Sequence, residues 1–182
     1  MNTVGEPSRA DEAAVQTATS STEVEEVVAD LSTRGAVHDL VVSFYRELVM
    51  DDLLAPVFEE VAEVDWATHI PLLIDYWCRI LLGHEGYQGP LLAAHRHVHD
   101  RQALAAEHFD RWYGLWAVTI DARWSGPGAE KAKRHAAKVG ATLARRLPAI
   151  EWGPPAEGDA ARNPRPRTQP PAVRIAATPA HP

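Results

Sequence analysis

Apolar residues recur at steps of three and four along most of the chain, a spacing that predicts helices rather than strands. Between Thr33 and Met50, the residues Val37, Leu40, Val41, Phe44 and Leu48 form one apolar face. Asp51 and Asp52 follow, and residues 53–58 (LLAPVF) read as a short turn-like segment. Asp65 is placed to cap a second helix, which carries Trp66, Ile70, Leu73, Trp77 and Leu81 on one face and ends at Gly83. Pro71 sits one turn in and is expected to bend this helix or delay its regular start. After a Gly-rich loop over 83–89, Pro90 is suited to open a helix reaching His99. The stretch from Ala105 to Arg123 places Phe109, Trp112, Trp116 and Ile120 at helical steps until Ser125-Gly126-Pro127-Gly128 breaks it. The last predicted helix, Ala129 to Leu147, has Ala132, Ala136, Val139, Leu143 and Leu147 on one side and charged residues on the other, and Pro148 stops it. No segment alternates as a strand would, so the expected fold is all-α, with about five main helices.

Composition divides the chain into a core and two tails. Of the six tryptophans, five lie between residues 60 and 130, so the bulky interior belongs to the middle of the sequence. Residues 1–32 are rich in Ala, Glu, Ser and Thr. They read as an acidic disordered arm, with a frayed helix near 24–31. Eight of the fourteen prolines fall in 149–182, a segment that cannot build a helical core. This places the folded domain at 33–148, and deletion of 151–182 is expected to leave it folded.

The net charge is −7. With no basic stripe, nucleic acid is not an expected partner. No apolar run is long enough to span a bilayer and no apolar leader is evident. The single cysteine, Cys78, rules out an intrachain disulfide and suits a cytoplasmic protein.

Several polar side chains sit on or beside the apolar faces. Tyr45 follows Phe44, and His69 is four residues before Leu73, leaning toward the face of Trp66 and Trp77. Trp112 adds an indole N–H. His95, His97 and His99 cluster in one run, with His95 and His99 at i,i+4. Each has a plain reading too: Tyr45, Trp112 and Trp116 as core residues, His69 as a half-buried structural histidine. The histidine run reads also as a solvated face, or as part of a zinc site completed by Asp100 or Asp110. Taken together, a histidine on one helix faced by a histidine, a tyrosine and many aromatics on others suggests a pocket for a flat aromatic cofactor such as haem.

The sequence over about 37–147 resembles the truncated haemoglobins, and among them the third group. The resemblance rests on Phe44-Tyr45-Arg46-Glu47 followed by Asp51 to Phe58; on Trp66-Ala67-Thr68-His69 with Tyr76-Trp77 and Leu81-Leu82-Gly83; on Tyr87, Gly89-Pro90 and His95; and on His108-Phe109-Asp110-Arg111-Trp112. It implies a shortened globin, two helices over two around a b-type haem and its iron, flanked by disordered tails. It further implies that His95 is the proximal iron ligand, that Tyr45, His69 and Trp112 line the distal side, and that Phe44, Phe58, Leu73 and Trp77 wall the pocket.

One interval departs from the pattern. Counted forward from Gly89-Pro90, His95 fits the proximal position; counted back from Leu104 and Trp112, His99 fits. With His95 as ligand, His99 is expected near a haem propionate. The expected partner is a diatomic gas such as O₂, with chemistry extending to NO or peroxide and an external reductase where turnover is sustained. Oligomeric state is not legible. The alternative from another class is a haem-free helical interaction or sensor module, its Pro-rich tail recruiting a partner.

Overall fold

The computed structural model describes residues 29–87 and 89–155; the expected frayed helix near 24–31 lies largely outside them, as does most of both tails. Five α-helices and one π-helical turn make up the fold, and no strand occurs among the described residues. They are α1 (Arg34–Leu48), the π turn (Val57–Val61), α2 (Trp66–Leu82), α3 (Leu91–Arg101), α4 (Ala106–Asp121) and α5 (Pro127–Arg146).

The local chemistry accounts for most boundaries. The Thr33 hydroxyl accepts the Ala36 amide at the start of α1. Asp65 accepts the Ala67 amide at the start of α2, and its other oxygen takes the Thr68 hydroxyl at 2.6 Å; both satisfy donors that the first turn leaves open. Gly83 ends α2 at φ 74°, a left-handed cap that favours glycine. Helix α2 starts at Trp66 and runs through Pro71, so the proline does not delay it. Helix α5 begins at Pro127, two residues before the expected start, because proline at the first helical position loses no needed donor.

Helices α1 and α2 pack together, as do α4 and α5; α1 on α4 and α2 on α5 join the pairs into two layers. Val37, Leu40, Val41, Phe44, Leu48, Ile74, Trp77, Trp116 and Ile120 fill the space between them. Helix α3 packs only against α5 and the π turn, with no close backbone approach to α2. The gap this leaves is the cavity described below.

Two contacts extend the folded unit beyond the expected 33–148. Upstream, Leu31 is fully buried, and the Asp30 carboxylate accepts the Gly128 and Ala129 amides at 2.9 Å each. A residue distant in sequence thus caps α5. Partial burial works against the Asp30 charge, but the amides of Gly128, Ala129 and Leu31 outweigh it and hold the carboxyl below its ordinary value. Asp30→Ala is expected to cost about 0.5–2 kcal/mol, the usual worth of an N-cap, read from the midpoint of denaturant unfolding. Because the folded pKa is depressed, this contribution is present above the unfolded value of 3.8. It fades as pH falls through the folded value, and the variant should lack that part of the acid response.

Downstream, Ile150 is buried and Trp152 lies over Gly140, where an added Cβ would meet the indole at 2.7 Å. The Trp152 N–H donates to Asp110 at 2.6 Å, and its ring packs against Phe109. The boundary expected at 149 therefore falls too early. A cut at 151 removes a packed anchor, not a bare tail. Trp152→Ala is expected to lower stability by roughly 1–3 kcal/mol, the common range for losing a packed side chain. A melting temperature equal to that of the parent would show that the indole contributes nothing.

Candidate functional site

The cavity has a volume of about 490 Å³ and is bounded by α1, the π turn, α2, α3, α4 and α5. Its walls are mostly apolar and aromatic, with a few polar groups converging on it, the usual character of a small-molecule site. Helix α3 supplies Leu91, Ala94, His95 and Val98 to one side. Helices α1, α2 and α4 supply Phe44, Tyr45, His69, Leu73, Trp77 and Trp112, and Phe58 comes from the π turn.

His95 is oriented by its own helix. Its Nδ1 lies 2.8 Å from the carbonyl oxygen of Leu91, one turn earlier, so Nδ1–H donates there and Nε2 is the free nitrogen. This is the arrangement that fixes tautomer and ring plane in imidazoles that bind metals. Burial pushes the His95 pKa below its ordinary value, against the opposing pull of the Leu91 carbonyl, which keeps the ring neutral.

His99 sits differently. Its Nδ1 accepts the Leu104 amide at 3.1 Å and it does not line the cavity. The i,i+4 spacing put both rings on one face of α3, but α3 ends two residues after His99 and the chain turns back over that ring. His99 thereby closes the α3–α4 loop. The zinc reading finds no support in the geometry: among the described residues no three His, Cys, Asp or Glu side chains converge as a metal site requires.

Across the cavity, Tyr45 is buried at the centre of an aromatic cage. Its ring meets Phe44 at 4.9 Å, Trp66 at 5.7 Å, His69 at 5.8 Å and Phe58 at 6.1 Å. Burial drives its phenol pKa far above the ordinary value, so the hydroxyl is a proton-bearing donor at any physiological pH. His69 is also held neutral, by burial first and then by the charge that His95 would bring nearby. The side chains of Tyr45, His69 and Trp112 make no hydrogen bond among the described residues. Three donors therefore border an apolar space with their capacity unspent, opposite an imidazole with a free Nε2.

The residues expected at the pocket wall, Phe44, Phe58, Leu73 and Trp77, all line this cavity, together with Tyr45, His69 and Trp112. His97 and His108, to which the sequence reading gave no place in the pocket, also border it. His97 is exposed at its edge, and His108 accepts the Ala105 amide at the start of α4. The capping signal at His108 is recognisable in sequence only once the helix start is known. Near the cavity, Arg101 pairs with Glu63 at 3.0 Å and joins α3 to the end of the π turn. Behind the pocket, Asp51 accepts the Leu53 and Leu54 amides and pairs with Arg111 at 3.0 Å, tying α4 to the α1–π loop.

No family model matches the chain, and no curated protein matches it. Among solved structures, the chain is similar to the group III truncated hemoglobin from Campylobacter jejuni, at 21% sequence identity and a TM-score of 0.57. The alignment covers 64% of this chain and 92% of that one. The likeness shows the fold: the described residues form an all-helical domain with the architecture of a truncated globin.

Proposed function

We propose that the domain is a haem-binding globin of the third truncated group, with haem b in the cavity and His95 as the residue that would hold its iron. The single observation that carries this is the pairing of an oriented imidazole with three unpartnered donors across an apolar space. The residues fit the group. The walls are flat and aromatic, His95 Nε2 is free, and the exposed His97 at the cavity edge suits a carboxylate substituent. When bound, haem would supply an iron centre for O₂ or a related diatomic ligand, with His95 holding the group and Tyr45, His69 and Trp112 facing the ligand.

The chain's own residues then set the behaviour of that ligand. Tyr45 and Trp112 donate hydrogen bonds to an electron-rich atom in their reach, and neutral His69 is a third donor. Phe58 and Trp66 stack at 6.1 Å beside Tyr45, and the mostly apolar surroundings strengthen each bond. Such a donor set favours slow release, or redox chemistry of O₂, NO or peroxide, over simple oxygen storage. Sustained turnover calls for a separate reductase.

The test is a carbon monoxide difference spectrum of the haem-loaded, reduced protein. A one-to-one shift of the main haem band on adding the gas is expected. Failure of the loaded protein to take up the gas would contradict the reading.

A further inference from the structure

A continuous file of aromatic rings runs along the cavity wall through Trp112, Trp116, Trp77 and Tyr76 and steps off it at Tyr87. Trp112 stacks on Trp116 at 6.4 Å and 8°, and Trp116 on Trp77 at 4.4 Å and 21°. Trp77 meets Tyr76 edge-on at 5.4 Å, and Tyr76 meets Tyr87 at 4.9 Å. Tyr87 is half-buried and does not line the cavity; it lies next to the exposed segment 83–86. Packing alone needs no such file, since an aliphatic core would fill the same volume, and two of its inner members differ in chemistry. The Trp116 indole N–H is buried with no hydrogen-bond partner. The Tyr76 hydroxyl, in contrast, lies 2.6 Å from His135 Nε2.

We propose that this file conducts oxidising equivalents from the cavity to Tyr87, so that a phenol-class one-electron donor is oxidised at the surface without entering the pocket. The proposal rests on the haem reading above. The oxidant is hydrogen peroxide, which takes two electrons and two protons to give two waters. Each electron is drawn through the file. An oxidised Trp116 has no acceptor for its N–H proton and cannot hold the vacancy by losing it, so the vacancy moves on. At Tyr76 the phenolic proton passes to His135 Nε2 as the electron leaves, a transfer within hydrogen-bond reach, and a neutral tyrosyl forms. Tyr87 then returns one electron, His135 returns the proton to Tyr76, and Tyr87 releases its own phenolic proton to water. An external phenol restores Tyr87 with one electron and one proton. Two such turns consume one peroxide and two phenols, giving two waters and two phenoxyl radicals. His135 suits this role: burial first, then Lys138 and Lys131, push its pKa down, leaving Nε2 free to accept. Burial pushes the Tyr76 phenol up to about 12, so it keeps its proton until oxidised.

The test uses the full chain loaded one-to-one with haem, treated with hydrogen peroxide in the presence of a nitroso spin trap. Adducts are mapped by peptide mass spectrometry and radicals are followed by electron paramagnetic resonance. The expected result is an adduct on Tyr87. In Tyr87→Phe the adduct should retreat to Tyr76, and in Tyr76→Phe the Tyr87 adduct should be lost. His135→Gln keeps a hydrogen-bond acceptor but a poor base; it should shift the radical signal from tyrosyl toward tryptophanyl. A Tyr87 adduct that persists unchanged in Tyr76→Phe, or adducts confined to other residues in the loaded parent, would overturn the relay and leave haem binding standing. Failure of the chain to bind haem would overturn both.

Discussion

His95→Ala is expected to abolish stable haem binding while leaving the helical fold intact. His95 alone among the α3 histidines combines a position on the cavity with an Nδ1 engaged by a backbone carbonyl. Removing even the partner of a ligating histidine commonly costs about 10–100-fold in metal affinity, and removing the ligand itself should cost more. The substitution also deletes a half-buried ring, so the fold is checked by far-ultraviolet circular dichroism. Added imidazole, which can occupy the vacated space, should restore part of the binding. An axial ligand must be unprotonated, so acid competes with the metal. Burial holds the His95 pKa below 6.5, which carries binding to lower pH than an exposed histidine would allow.

Replacing the distal donors should change ligand release rather than haem affinity. Tyr45→Phe keeps the ring and its contacts with Phe44, Trp66 and Phe58 while deleting the hydroxyl. Trp112→Phe deletes the indole N–H. A hydrogen bond to a charged partner is worth about 1.5–3 kcal/mol, so each variant is expected to release O₂ roughly ten- to a hundredfold faster. Stopped-flow displacement of O₂ by carbon monoxide reads this directly. The two effects need not add, because both donors address one ligand. Release rates equal to the parent's in both variants would show that the polar wall does not touch the ligand.

Much of this arrangement is legible in the chain because helices bury one face and therefore repeat their apolar residues. The run Val37, Leu40, Val41, Phe44, Leu48 appears in sequence as it does in the core, and Asp65 and Gly83 mark the ends of α2 by their own cap chemistry. Tyr45, His69 and Trp112 stand out in the sequence as polar groups on or beside such faces, and all three line the cavity. Contacts between distant segments were not legible. Asp30 caps a helix that begins 97 residues later, and nothing near Asp30 signals that partner. Trp152 follows a proline stop and precedes a proline pair, so composition assigned it to the tail, whereas its indole fills a notch left by Gly140. The different settings of His95 and His99 also escaped spacing. Both lie on one face of α3, and what separates them is where that helix ends and which amide turns back over the second ring.

The central claim is that the cavity holds haem through His95. Its most direct test is an absorbance titration of the purified full chain with haemin, run in parallel on the parent, His95→Ala and His99→Ala. The account predicts a saturable one-to-one Soret band in the parent, the same band in His99→Ala, and its loss or marked alteration in His95→Ala alone. An unsaturable response in the parent, or a band lost in His99→Ala and kept in His95→Ala, would contradict it.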